Sequence, residues 1–138
     1  MTIAFDGMVP LIQVYDMPTA RGFYQGVLGF ETVSASPEVD TPEGRFSHWV
    51  WLARGPVNLM LNTAYDAGER PPARDPVQER WHRDTGLYFG GVDPDEAYLA
   101  LTAAGVACDP PADAAYGMRQ LWVRDPDGYQ LCFQSPVS

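Results

Sequence analysis

The feature that most restricts how this chain can fold is a repeated order of signals: a short strand, a capped helix, then three further strands. Met8 to Tyr15 is short and β-rich, and Pro10, with no N–H to donate, suits an edge or end position in a strand. Asp16 fits the N-cap position and Pro18 the first helical turn. Ala20, Phe23, Tyr24 and Val27 then recur at helical spacing before Gly29 stops the segment. Strands are expected at Phe30 to Ser34, Phe46 to Ala53 and Val57 to Asn62, with Arg54-Gly55-Pro56 as the turn between the last two. The order then recurs. Thr85 to Gly91 reads as a strand, and Asp93-Pro94 opens a helix carrying Ala97, Tyr98, Leu101 and Ala104, stopped by Gly105. Ala107 to Asp109, Met118 to Arg124 and Tyr129 to Gln134 complete three more strands, and Asp125-Pro126-Asp127-Gly128 is the hairpin turn between the last two.

The repeat, read from Asp16 to Asp93, is longer than the roughly 20–50 residues of a solenoid unit and has too few copies for one. The expected class is therefore α+β: two tandem βαβββ modules forming curved mixed sheets around a cleft. The first module covers residues 1–62 and the second 85–138, with 63–84, rich in Pro, Arg, Asp and Glu, as a linker loop. At 138 residues the two halves are expected to share a core as one compact unit. With 46% hydrophobic and 20% charged residues the chain can build that core.

Eighteen acidic residues against nine basic ones give a net charge of -9, which repels a phosphate backbone and anionic lipid. Nucleic acid and membrane are not expected partners. Cys108 and Cys132 have neither metal-motif spacing nor the numbers of a disulfide framework, which suits a reducing compartment. Residues 1–9 carry no Lys or Arg, and no apolar run approaches the ~20 residues of a membrane span, so a cytoplasmic location is expected.

The segment from Asp16 to Phe30, Asp-Met-Pro-Thr-Ala-Arg-Gly-Phe-Tyr-Gln-Gly-Val-Leu-Gly-Phe, resembles the D-x-x-x-A-x-x-F-Y-x-x-x-L-G-F signature of the vicinal oxygen chelate superfamily. Asp125-Pro126-Asp127-Gly128 resembles its late turn, and the likeness runs over essentially the whole chain. That superfamily includes glyoxalases, extradiol dioxygenases, resistance transferases, epimerases and metal-free drug binders of the bleomycin-resistance type, so the fold alone does not choose a function. Its enzymes place metal ligands, typically His and Glu, on the first and last strands of each module. The resemblance puts Val9, Asn58, Gly86 and Cys132 at those four positions. Two of these cannot ligate, one offers a weak amide oxygen, and one is a soft thiol in place of a hard oxygen. No metal or other cofactor is expected, the alternative being a site assembled from His48, Cys132 and a distant carboxylate.

Strand alternation distributes the remaining cleft candidates. If Cys132 faces the cleft, so do Gln130 and Gln134, while Leu131 and Phe133 pack under the helix. Met118, Gln120 and Trp122 share that face, as do Leu11 and Gln13, Asn58, Met60 and Asn62, and Tyr88 between Gly86 and Gly90. Trp49 and Trp51 alternate with His48, Val50 and Leu52, and the pattern leaves open which set faces the cleft. Tyr116 completes the set of ligand-binding candidates. Aromatic rings, flexible Met side chains and neutral amides suit a small, flat organic molecule, aromatic or cationic. Three functions compete: a metal-free binder acting by sequestration, as a homodimer; a lyase or dioxygenase using a non-standard site around His48, Cys132, Gln120 and Tyr116; and a dimeric interaction module.

Overall fold

The computed structural model describes residues 2–137. The described chain is α+β and divides into two compact units that meet at the Pro72–Ala73 bond. Each unit carries a curved, unclosed four-stranded mixed sheet.

In the first unit the sheet order is β1 (Leu11–Val14), β6 (Val57–Thr63), β5 (Trp49–Arg54), β2 (Glu31–Ala35). Strands β1 and β6 run parallel and the other pairs antiparallel. Between β1 and β2 the chain forms α1 (Met17–Arg21), which continues as a π-helical segment over Gly22–Val27. The expected single three-turn α-helix is thus only partly α. Gly22 and Gly26 are poor α-formers, and the wider winding lets the adjacent rings Phe23 and Tyr24 both reach the core, where Tyr24 is fully buried. The segment ends at Gly29, whose φ of 79° is a left-handed conformation that favours glycine. The core comprises Ile12, Val14, Val50, Leu52, Leu59 and Leu61 on one face of the sheet, beneath Met17, Ala20 and Tyr24.

The expected strand from Phe46 to Ala53 is broken. Its start belongs to a separate hairpin, β3 (Val39–Thr41) with β4 (Gly44–Phe46), and β5 begins only at Trp49. Serine side chains take over the backbone groups near the break: Ser47 Oγ donates to Ser36 O at 2.6 Å, and Trp49 N donates to Ser36 Oγ at 3.1 Å.

Asp16 caps α1 as expected, accepting from Thr19 N at 3.1 Å, and it pairs with Arg70 at 2.8 Å. Burial opposes ionisation of this carboxyl, but the hydrogen bonds from Thr19 and Arg70 outweigh it and hold the group below its ordinary value. A carboxyl depressed by folding adds stability that is complete above its unfolded-state value of about 4 and is lost as pH falls through the lower folded value. Asp16→Ala should therefore cost about 1 kcal/mol at neutral pH. In urea titrations the gap to the parent should narrow as pH drops below the ordinary carboxylate value, and a gap that stays constant would contradict the linkage.

In the second unit the sheet order is β7 (Gly86–Gly90), β10 (Gln130–Pro136), β9 (Met118–Arg124), β8 (Ala112–Asp113). Helix α3 (Pro94–Ala103) is capped by Asp93, which accepts from Asp95 N at 2.9 Å, and it packs on β9 and β10. Buried Leu101 sits with Leu121, Val123, Leu131 and Phe133. The strand expected at Ala107 to Asp109 is not formed. The edge strand β8 is only two residues long and starts after Pro110 and Pro111, because neither proline has an N–H to give to a ladder with β9.

Residues 63–84, expected as a linker loop, are instead held by one unit or the other. Tyr15 OH donates to Pro71 O at 2.7 Å and the Arg70 guanidinium lies 4.7 Å from the Tyr15 ring centroid, tying this end to the first unit. Pro76–His82 forms helix α2, capped by Asp75 and docked on the second unit. There the His82 ring stacks on Tyr129 at 4.1 Å, and Arg74 pairs with the buried Asp127 at 2.7 Å. One turn of cap and seven residues is too short to show a helical period. Among the described residues no helix is long and apolar enough to cross a membrane.

Candidate functional site

Each sheet has one face covered by its helix and one helix-free face, and alternation decides what the free face carries. In the first unit Val50 and Leu52 point into the core, so Trp49, Trp51 and Ala53 stand on the free face of β5. Across the ladder Trp49 lies opposite Asn62, Trp51 opposite Met60, and Ala53 opposite Asn58. Leu11 and Gln13 continue the same face on β1 beside Met60 and Asn62. The two indoles are fastened to the sheet: Trp49 Nε1 donates to Met60 Sδ at 3.3 Å and Trp51 Nε1 to Asn58 Oδ1 at 3.0 Å. Asn62 Nδ2 donates to Gln13 Oε1 at 3.1 Å. The ring faces are thereby left to contact a ligand while the polar edges are satisfied. His48 lies outside β5, its ring against Phe46 at 5.1 Å.

In the second unit the free face carries Tyr88 on β7, Cys132 and Gln134 on β10, and Met118, Gln120 and Trp122 on β9. Tyr88 and Trp122 flank Cys132 in the ladder and meet edge to face at 5.4 Å, and both rings are exposed. The Cys132 thiol beneath them is fully buried, and burial pushes it up, away from the nucleophilic thiolate form at neutral pH. Tyr116 is on the loop before β9. Gln120 Nε2 donates to Tyr116 OH at 2.7 Å and to Gln134 Oε1 at 3.0 Å, so three neutral groups form one chain. Partial desolvation against the sheet, with the neighbouring Tyr116 and Cys132, raises the Tyr88 phenol above its ordinary value, so it stays a neutral donor.

The free face of the first unit thus gathers Gln13, Trp49, Trp51, Asn58, Met60 and Asn62, and that of the second gathers Tyr88, Met118, Gln120, Trp122 and Cys132. Arg83, Asp109 and Arg124, which no sequence signal singled out, join Cys108, Trp122 and Gln130 in lining an open groove at one end of the second face. The signal for it was the Pro110-Pro111 pair, which shortens β8 and leaves the end of β9 without a strand neighbour on that side.

The chain belongs to the Glyoxalase/Bleomycin resistance protein/Dioxygenase superfamily, whose sequence profile matches residues 7–133. No curated protein matches it by sequence. Among solved structures it is similar to TnmS3, an antibiotic binding protein from Streptomyces sp. CB03234, with 25% identity, a TM-score of 0.69, and 98% of this chain and 99% of that one covered. It is similar in fold to the bleomycin resistance determinant encoded on the transposon Tn5 (20% identity, TM-score 0.68, 96% and 98% covered). It is likewise similar to lactoylglutathione lyase from Agrobacterium tumefaciens (18% identity, TM-score 0.66, 97% and 96% covered).

The residues at the superfamily's ligand positions do not suit a metal. Val9 and Gly86, at two of the positions the resemblance assigns to ligands, have no side-chain donor atom. Asn58 already accepts from Trp51 and donates to Pro56 O at 3.3 Å. Cys132 offers a buried thiol whose deprotonation burial opposes. Among the described residues no three His, Cys, Asp or Glu side chains converge on one point.

Proposed function

We propose that this protein binds a small organic molecule bearing an aromatic ring on a helix-free sheet face, without a metal ion, and acts by sequestering it. The observation that carries this reading is the chemistry of the free faces. Trp49, Trp51, Tyr88 and Trp122 present aromatic surface while Gln13, Asn58, Asn62, Gln120 and Gln134 form neutral hydrogen-bonded pairs around them. Stacking on such rings contributes about 0.5–1.5 kcal/mol each, and amides orient a ligand at little desolvation cost. The antibiotic-binding and bleomycin-resistance neighbours support the same kind of activity. The same reading takes the protein as a cytoplasmic homodimer.

The test is calorimetric screening of chelator-treated protein against bleomycin and a panel of aromatic and cationic compounds, with each compound analysed by mass after incubation. A compound should bind and be recovered unchanged, and Trp51→Ala or Trp122→Ala should weaken one such complex about tenfold, near 1.4 kcal/mol. No binding across the panel would sink the proposal. Conversion of a compound, restored by a divalent ion and lost in His48→Ala or Cys132→Ala, would favour a lyase or dioxygenase instead.

A further inference from the structure

Strand β9 has β8 as its edge neighbour only at Arg119 and Gln120. From Leu121 to Arg124 that side is left to the irregular segment around Cys108 and Asp109, and the result is a groove of about 750 Å³. That volume lies within the roughly 300–1,000 Å³ of small-molecule sites. Its lining includes Arg83, Cys108, Asp109, Trp122, Arg124 and Gln130, all from the second unit. Trp122 and Gln130 belong to the helix-free face, so the groove continues that surface.

The charge of the groove is opposite to that of the chain. All nine basic residues are arginines, against 18 acids. Arg45, Arg70, Arg74 and Arg119 are ion-paired, and Arg21 is hydrogen-bonded to Gln25 and Thr32. Among the described residues Arg54, Arg80, Arg83 and Arg124 make no ion pair, and two of those four line this one groove. Asp109 is the one carboxylate in its lining, leaving an excess of one positive charge (two guanidinium groups less one carboxylate). Burial and the neighbouring Asp109 raise the Cys108 thiol, which stays uncharged. A guanidinium presents a planar fork of donors matched to a carboxylate, and an indole presents a flat apolar face.

The geometry points to a binding site for a planar aromatic carboxylate, with the ring against Trp122 and the carboxylate held by Arg83 and Arg124. This rests on the proposed role in small-molecule binding and specifies its ligand as an anion, in a chain whose overall charge would repel one. Asp109 opposes the carboxylate and lowers the affinity.

Calorimetry with 2-naphthoate and its uncharged counterpart 2-naphthamide tests this. The acid should bind the parent protein at least tenfold more tightly, with the preference shrinking as salt is raised. Arg83→Gln with Arg124→Gln should abolish the preference, weakening 2-naphthoate far more than 2-naphthamide. Both side chains are exposed and unpaired, so the double variant should fold. Asp109→Asn should tighten 2-naphthoate several-fold without affecting the amide, and Trp122→Ala should weaken both. Equal affinities, or a preference that survives the double arginine variant, would overturn the assignment while leaving aromatic binding intact. If neither naphthalene compound binds but another panel member does, the groove assignment alone fails; if nothing binds at all, both readings fail.

Discussion

Asp125→Ala is expected to lower the unfolding free energy by about 3 kcal/mol, because two buried backbone N–H groups lose their common acceptor. Asp125 is 5% exposed, and its Oδ1 accepts from Asp127 N and Tyr129 N, each at 2.9 Å. The turn also closes through its backbone, with Asp125 N donating to Tyr129 O at 3.0 Å and Gly128 N to Asp125 O at 3.1 Å. It connects β9 to β10 and is the surface on which α2 docks. The His82 Nδ1–H, in the tautomer that donates, reaches Asp127 O at 2.6 Å. Gly128, at φ 89°, passes so close to α2 that a Cβ there would sit 3.2 Å from Glu79 O. Asp125→Asn keeps an oxygen in place and should cost less than about 1 kcal/mol. Urea denaturation of both variants decides the matter: equal stabilities would mean that the two N–H groups find other partners.

Tyr24→Ala should be about as damaging, at roughly 4 kcal/mol, the range for deleting a buried aromatic ring. Tyr24 is fully buried and meets Phe23 at 5.1 Å and Phe30 at 6.0 Å, both edge to face. Neither neighbour can easily fill the vacated volume, since Phe23 is held in the π-helical segment and Phe30 follows the turn at Gly29. Tyr24→Phe keeps the ring and should cost no more than about 1.5 kcal/mol, one hydrogen bond. Near-ultraviolet circular dichroism together with denaturation midpoints checks this, and a loss below about 1 kcal/mol in Tyr24→Ala would show that the site collapses around the gap.

The elements that could be read in advance were those whose signals are local. Asp16 and Asp93 cap helices because a short carboxylate can reach the free N–H groups of the first turn, which depends only on the next three residues. Gly29 and Gly105 end them because each takes a left-handed φ. The alternation of Met118, Gln120 and Trp122 with Leu121 and Val123 separates free face from core by the pleat alone. Helix α2 gave no comparable signal. Seven residues with none fully buried show no apolar period, and what holds them is a stacked His82 and an ion pair to Asp127, partners more than 40 positions away.

The sequence by itself determined the chain's repeated βαβββ order and its superfamily, because these follow from residue identity and near-neighbour spacing. Tertiary structure decided that Trp49 and Trp51, and not Val50 and Leu52, stand on the free face, since the register of β5 against β6 and the burial of Leu59 and Leu61 choose between two faces that alternation leaves equivalent. It also decided that Arg83 and Arg124 share a groove. Their positions are brought together only when β10 pairs between β7 and β9, and no local pattern records a contact made by folding.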